Sequence, residues 1–355
     1  MTTQLTETLH ALLHSDAPLD SEQSRLLMGQ ILADRDAAIP DAQIASLLTL
    51  LAARGVTAEE LTGFAEAMRA AAVPLPFSDA ERAQLVDTCG TGGDGCGTFN
   101  VSTAAALVAA AAGAKVAKHG NRALSSRCGS ADVLDALGIP AALPPEQAAA
   151  CLRATGFAFL FAPLFHPAMQ RVQAVRRALG FRTVFNLLGP LSNPAHAPAQ
   201  VLGVYRSELV PVMADAMARL GIRHGLVVHG DGGLDEFSLS GETEFAEVRN
   251  GQVTLHRFHP EAAGLRPAPV AALAGGDAAA NAAILRAILA GETGPRRDIV
   301  VLNAAAALVV SGLAADLPAG VLRAQAAIDS GAAAVTLASL IKFGRKSSSG
   351  PNSKS

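Results

Sequence analysis

The sequence predicts an α/β protein in which a small N-terminal helical domain precedes a larger α/β domain with a mainly parallel central sheet. Three observations predict it. Residues 3–72 place apolar side chains three and four positions apart, as in Ile44, Leu47, Leu48 and Leu51 and again in Leu61, Phe64 and Met68, the period of a helix that buries one face. Val73, Pro74, Leu75 and Pro76 then break helical continuity and read as a linker. Beyond them, short apolar runs alternate with Ala-rich helical stretches, the pattern of parallel strands joined by crossover helices.

In chain order, strands are expected at 85–88, 114–118, 157–161, 201–205, 225–229 and 299–302, with a small-residue helix at 101–112. An Arg-rich helix at 166–179 interrupts this alternation. It is followed at 183–193 by a stretch holding the turn pairs Gly189-Pro190 and Asn193-Pro194, and the whole piece is expected to return to the helical domain. The expected division is therefore a helical domain at 1–73 joined by 167–190, a catalytic α/β domain at 74–166 and 191–344, and a disordered tail at 345–355. Regular patterning ends at Phe343 and Gly344, and no apolar residue beyond them anchors the tail.

Half of the 355 residues are hydrophobic, enough for a sizeable core. A formal charge of -3 provides no basic field, and with no Trp and one Tyr there is no aromatic platform, so no nucleic-acid partner is expected. The start of the chain is polar, and the longest apolar run, 104–112, is too short to span a bilayer. A cytoplasmic protein without membrane contact is expected. Cys89, Cys96, Cys128 and Cys151 show no C-x-x-C spacing and read as reduced, space-filling thiols, although Cys96 lies inside a glycine loop.

That loop carries the chemistry. Gly90, Thr91, Gly92, Gly93 and Asp94 lie between the first expected strand and the 101–112 helix. Glycines there reach positive φ and turn successive N–H groups toward an anion, to which the helix start adds its positive end. A second polar cluster, Lys118, His119, Gly120, Asn121 and Arg122, is followed by Ser125, Ser126 and Ser130. Two such loops imply a ligand with more than one phosphate. The spacing Gly90-x-Gly92-x-x-Gly95 matches the dinucleotide fingerprint, but the loop runs on to Gly97, and Lys118 ends the next strand where a ribose-binding acid is needed. No Gly-Lys-Ser or Gly-Lys-Thr follows, so a Walker loop is excluded.

Asn100, Val101, Ser102 and Thr103 read as a helix cap, with the Ser102 hydroxyl also placed to reach a phosphate or its magnesium. Asp235 and Glu236 follow a glycine turn after the 225–229 strand and read either as a solvated acidic turn or as hard oxygen ligands for Mg2+. Arg176 falls within the apolar stripe Val172, Val175 and Leu179, so its guanidinium needs an anionic partner, a structural acid or a substrate. His119 has no acid or thiol beside it in sequence and reads as a ligand contact rather than a general base.

Together with Gly129, Ser130, Ala131, Asp132, Val133 and Leu134 and with Asn186, Leu187, Leu188, Gly189, Pro190 and Leu191, these motifs resemble the anthranilate phosphoribosyltransferase family across nearly the whole chain. The resemblance implies a nucleoside phosphorylase/phosphoribosyltransferase-like fold and transfer of the phosphoribosyl group of phosphoribosyl pyrophosphate to anthranilate in tryptophan biosynthesis. It implies that Gly90, Gly93, Asp94, Thr98, Asn100, Val101, Ser102, Thr103, Lys118, His119, Gly120, Asn121, Arg122, Ala123, Ser125, Ser126 and Ser130 hold the donor. Anthranilate would meet Gly90, Asn121 and Arg176, and Mg2+ would be bound by Ser102, Asp235 and Glu236. A homodimer joined through the helical domain is implied, and no residue is assigned as a general base. Two alternatives share parts of this pattern. A pyrimidine nucleoside phosphorylase is opposed by the Asn121-Arg122-Ala123 motif and the 186–191 motif, and a non-enzymatic nucleic-acid-binding relative by the acidic pair and the charge of -3.

Overall fold

The computed structural model describes residues 4–15, 17–34, 36, 38–123 and 127–348. Four helices open the chain: α1 (Gln4–His14), α2 (Ser21–Ala33), α3 (Asp41–Arg54) and α4 (Ala58–Ala70). The starts of two are written in capping boxes, Asp20 with Gln23 for α2 and Thr57 with Glu60 for α4. The Ile44, Leu47, Leu48, Leu51, Leu61, Phe64 and Met68 stripes are all buried in the bundle. Glu60 is buried as well, where it pairs with Arg54 and accepts the Leu19 N–H at 3.0 Å, so its charge is matched from both sides.

After the linker come α5 (Asp79–Arg82), β1 (Leu85–Gly90), α6 (Val101–Ala111), β2 (Lys115–Gly120), α7 (Ser130–Leu137), α8 (Pro145–Thr155), β3 (Phe157–Phe161) and α9 (Ala162–Phe165). The chain then forms α10 (Gln170–Leu179) and α11 (Val184–Leu191), which pack against α2, α3 and α4. It returns through β4 (Ala199–Gly203), α12 (Leu209–Arg219), β5 (His224–Gly230), β6 (Thr243–Arg249) and β7 (Gln252–Phe258). It closes with α13 (Ala278–Leu289), α14 (Pro295–Val310), α15 (Leu317–Asp329) and α16 (Ala332–Ser348).

The seven strands form one sheet in the order β3-β2-β1-β4-β5-β6-β7. The first five are parallel, and β6 and β7 add an antiparallel edge. One apolar core lies between one sheet face and α6, α7, α8 and α13 to α16. The other face is covered by α12, whose Met213 and Met217 share a second core with the helical bundle. Winding proceeds from β1 through β2 to β3 in one direction and from β4 to β5 in the other, so a crevice opens at the carboxyl ends of β1 and β4, where ligands bind in open α/β sheets.

Four expectations are corrected. Ile299, Val300, Val301 and Leu302 are helical, in the middle of α14; with α14 packed between α6 and α15 they are buried all round, and a fully apolar run carries no period that separates helix from strand. The antiparallel β6 and β7 were not anticipated, since polar residues interrupt β6 at every second or third position and β7 is polar and largely exposed, so neither offers an apolar run. Gly189-Pro190 is the last turn of α11 rather than a loop, and the Pro190 carbonyl is satisfied by the Gln200 side chain at 2.7 Å. Finally, α16 continues past Gly344 to Ser348, with Gly344 closely packed on Pro140 and the cations Arg345 and Lys346 at the negative helix end; the rest of the expected tail, 349–355, lies outside the described residues. Among the described residues no single helix is long and apolar enough to cross a membrane, and all four cysteines are free.

Candidate active site

Gly90 ends β1, and the loop that follows crosses the switch-point crevice. Gly92 and Gly93 have φ of 64° and 74°, and Gly95 and Gly97 are also left-handed, a run of turns that other residues resist. The Thr91 N–H is taken by Gly203 O at 2.8 Å and the Gly92 N–H by Asp235 Oδ2 at 2.8 Å. The N–H groups of Gly93, Asp94, Gly95, Gly97 and Thr98 have no hydrogen-bond partner among the described residues. Such a strip of free donors is an anion cradle. Its far end is held where Thr98 bridges Ala274, with Phe99 and Gly275 hydrogen-bonded across.

The acidic pair reaches the same crevice by a local device. After β5 a single 3-10 turn, Asp231–Gly233, reverses the chain, and Leu234 pairs back onto Gly230. Asn303 of α14 then grips the Phe237 backbone on both sides, accepting its N–H at 2.9 Å and donating to its carbonyl at 3.0 Å. Asp235 is thereby laid across the ends of β1 and β4, so close that a Cβ on Gly90 or Gly203 would strike it. Both carboxylates are held above their usual range. For Asp235 burial is the main cause, followed by the charge of Asp94; for Glu236 it is burial, then Asp235.

Lys118, on β2, is only 1% exposed. Its ammonium contacts the Thr88 carbonyl and lies 3.2 Å from Ser102 Oγ at the start of α6. It lies close enough to oppose the upward shift of Glu236 and of Asp87, whose carboxyl burial pushes up to about 6. Asn100 occupies the N-cap position of α6, yet its side chain does not cap the helix. Its amide instead donates to Cys128 O at 3.2 Å and accepts from Asn281 at 2.9 Å, tying α6 to the loop before α7 and to α13. The capping expectation for Asn100 is thus corrected, because the Asn281 amide takes the oxygen that the helix N–H groups would otherwise use.

The second polar cluster follows β2. Ser125 and Ser126 lie outside the described residues. Arg122 spans Asp132 at 2.9 Å and Asp135 at 2.6 Å, and Asp132 also accepts the N–H groups of Ala123 and Gly129, so this carboxylate shapes the loop. Ser130 begins α7 beside Gly120. His119 is buried, with Nδ1 3.1 Å from Gly189 O, its Nε2 without a partner, and the His166 ring 5.1 Å away. Burial and then His166 push its pKa down to about 3, so the imidazole is neutral.

Arg176 is the acceptor-side candidate. Val172 and Val175 are buried as expected, and Arg176 lies beside them over the Phe185 ring at 5.2 Å. No structural acid meets it: among the described residues it has no hydrogen-bond or ion-pair partner. Its partial burial lowers its pKa.

The residues that hold this site in shape, Asp87, Asp132, Arg182, Asn193, Asn281 and Asn303, carried no role in the sequence reading. Only Asp132 lay inside a motif and Asn193 inside a turn pair, and the partners of the others are distant in sequence. Asp87 accepts the His119 N–H at 3.1 Å, Asn193 donates to Ala117 O at 2.8 Å, and Arg182 donates to the carbonyl of Gly93.

Comparison with known proteins bears directly on this arrangement. Residues 6–72 match the helical bundle domain of the glycosyl transferase family and residues 82–334 its a/b domain. The anthranilate phosphoribosyltransferase of Desulforamulus reducens is 53% identical over 302 residues, covering 85% of this chain and 87% of that protein. The crystal structure of the Thermus thermophilus enzyme aligns with a TM-score of 0.87 at 44% identity, covering 95% of this chain and 99% of that one. The Saccharomyces cerevisiae enzyme, in complex with PRPP and Mg, aligns with a TM-score of 0.85 at 31% identity over 96% of this chain and 98% of that one. The two-domain chain, with its glycine loop and acidic pair at one sheet crevice, belongs to the anthranilate phosphoribosyltransferase family.

Proposed function

We infer that this protein transfers the phosphoribosyl group of phosphoribosyl pyrophosphate to anthranilate, giving N-(5-phosphoribosyl)anthranilate and pyrophosphate in tryptophan biosynthesis. The observation that carries the reading is the convergence at one crevice of a strip of free backbone N–H groups with the partly buried Asp235 and Glu236 carboxylates. The donor would lie along Gly90, Gly93, Asp94, Thr98, the 100–103 turn and the 118–123 loop, and the same reading gives it Ser125, Ser126 and Ser130. The acceptor would meet Gly90, Asn121 and Arg176.

Among the described residues, no set of three or more His, Cys, Asp and Glu side chains forms a metal site. Mg2+ does not need one, because it keeps waters and takes substrate oxygens beside one or two carboxylates. The donor set fits: Ser102 Oγ, Asp235 and Glu236 are hard oxygens, and a cation bound there would favour the charged forms of two carboxyls that burial and neighbouring carboxylates hold above their usual range. These three residues would hold the ion, which when bound would offset charge on the pyrophosphate.

The reaction is displacement at the ribose anomeric carbon: a bond forms from the amine nitrogen of anthranilate, the bond to the pyrophosphate oxygen breaks with its electron pair leaving on that oxygen, and the nitrogen gives up one proton to the released pyrophosphate or to water. Charge on the leaving group grows as the bond stretches, so the loop N–H groups and Lys118 bind it more tightly in the transition state than in the ground state. Arg176 and Asn121 orient the amine, a proximity effect. His119 is neutral and its ring has no acidic partner among the described residues, and no obligatory general base is assigned. We further propose a cytoplasmic homodimer paired through the helical bundle, where an apolar groove between α1 and α3, lined by Leu9, Leu13, Ala45, Thr49 and Leu50, leaves Leu13 60% exposed. The enzymatic test is direct: mixing the folded protein with phosphoribosyl pyrophosphate, Mg2+ and anthranilate quenches anthranilate fluorescence, and an unchanged signal refutes the reaction.

A further inference from the structure

Arg182 is a cation without a carboxylate. It lies on the connection between α10 and α11, on the acceptor side of the molecule, yet its guanidinium crosses to the glycine loop and donates to the Gly93 carbonyl. Its other support is aromatic: the guanidinium carbon lies 3.9 Å from the centre of the Tyr205 ring, which follows β4, and Arg206 approaches the same ring at 5.4 Å. Gly93 itself is shaped for the contact, since a Cβ there would collide with the guanidinium. Among the described residues Arg182 has no ion-pair partner.

The consequence follows from peptide geometry. In a trans peptide the carbonyl of one residue and the N–H of the next point in opposite directions. Holding the Gly93 carbonyl toward Arg182 therefore turns the Asp94 N–H away from it, and that N–H is one of the free donors of the cradle. A glycine-rich loop left to itself samples many peptide orientations. We propose that Arg182 is a positioning residue that fixes the Gly93–Asp94 peptide so that the loop is organised for the pyrophosphate group of the donor, with Tyr205 as the platform that holds the guanidinium in place. This rests on the donor assignment above and adds to it a link between the acceptor-side segment that carries Arg176 and the loop that binds the leaving group.

The test compares the wild-type protein with Arg182→Ala, Arg182→Lys, Tyr205→Leu and the Arg182→Ala/Tyr205→Leu double variant. Steady-state rates give the KM of each substrate, and calorimetric titration with inorganic pyrophosphate and Mg2+ reads the loop without turnover. Losing one charge-assisted hydrogen bond, Arg182→Ala should raise the donor KM and weaken pyrophosphate binding by about tenfold, with the anthranilate KM changed by less than about twofold. Arg182→Lys should restore only part of the loss, because an ammonium neither stacks nor holds a fixed fork. Tyr205→Leu should act in the same direction, and the double variant should be no worse than Arg182→Ala, since both act through one contact. An unchanged donor KM in Arg182→Ala, a parallel rise in both KM values, or strict additivity in the double variant overturns the proposal. If Arg182→Ala does not fold, Tyr205→Leu decides by the same split. A wild-type protein that binds pyrophosphate through Arg182 but turns over no anthranilate refutes the reaction and keeps the loop assignment.

Discussion

The imidazoles of His119 and His166 lie 5.1 Å apart in a pocket where each Nε2 lacks a partner. Burial is the main cause that pushes both down, His166 to about 4 and His119 to about 3, against an ordinary value near 6.5. In the unfolded chain both regain that ordinary value, so below it the unfolded state binds more protons than the folded one. Stability is therefore fully present above about pH 6.5 and is lost as the pH falls toward the folded values, at up to about 1.4 kcal/mol per pH unit for each histidine. Asp87, pushed up to about 6, works in the opposite sense but is common to any His166 variant. Chemical denaturation at several values between pH 7 and pH 5 should thus show a steeper loss for the wild type than for His166→Asn, by about that single-histidine slope. Coincident slopes would mean that His166 is not held neutral.

At the scale of elements, the site depends on how closely the 235–236 loop is pressed onto the sheet. Gly203, the last residue of β4, leaves no room for a side chain: its Cβ would meet the Asp235 carbonyl. Gly203→Ala should push this loop outward, costing about 1–3 kcal/mol of stability by overpacking. It should raise the donor KM far more than the anthranilate KM; a variant with wild-type donor KM and thermal midpoint would show that the loop is not pinned there. This contact also marks where the sequence was readable and where it was not. The glycine loop, Lys118 and the acidic pair were legible because short-range spacing encodes them, and the parallel strands because their apolar runs are bounded by glycine. Gly203 was not, because its partner is brought back by the turn after β5, a contact that no local pattern records. The same limit applied to Asn303, whose helix α14 was itself misread at 299–302, where burial on all sides had erased the helical period. It applied equally to Asn100, whose cap-like sequence is used instead for a long-range bond to Asn281.

On the scale of the whole molecule, the proposed Arg176 contact and the donor cradle are carried by different lobes. Arg176 is presented by α10, which packs on α2 and α3, whereas the glycine loop, Lys118 and the acidic pair belong to the sheet and its crevice. The lobes are not loosely tethered, because the bundle core is continuous with α12 and with Leu202, Val227 and Ala246 of the sheet. On the proposed assignment both substrates share Gly90 and Asn121, whereas Arg176 serves the acceptor alone. Removing Arg176 should then separate the two. If Arg176 meets the anthranilate carboxylate as proposed, Arg176→Ala removes a charge-assisted contact worth about 1.5–3 kcal/mol and should raise the anthranilate KM by roughly 10- to 100-fold. The donor KM should stay within about twofold of the wild type, because Arg176 itself makes no hydrogen bond or ion pair to the glycine loop among the described residues. Equal effects on both substrates would remove Arg176 from the acceptor site. Since burial already disfavours its charge and no acid compensates, the same substitution should leave the thermal midpoint unchanged or raise it, which separates loss of a ligand contact from damage to the bundle.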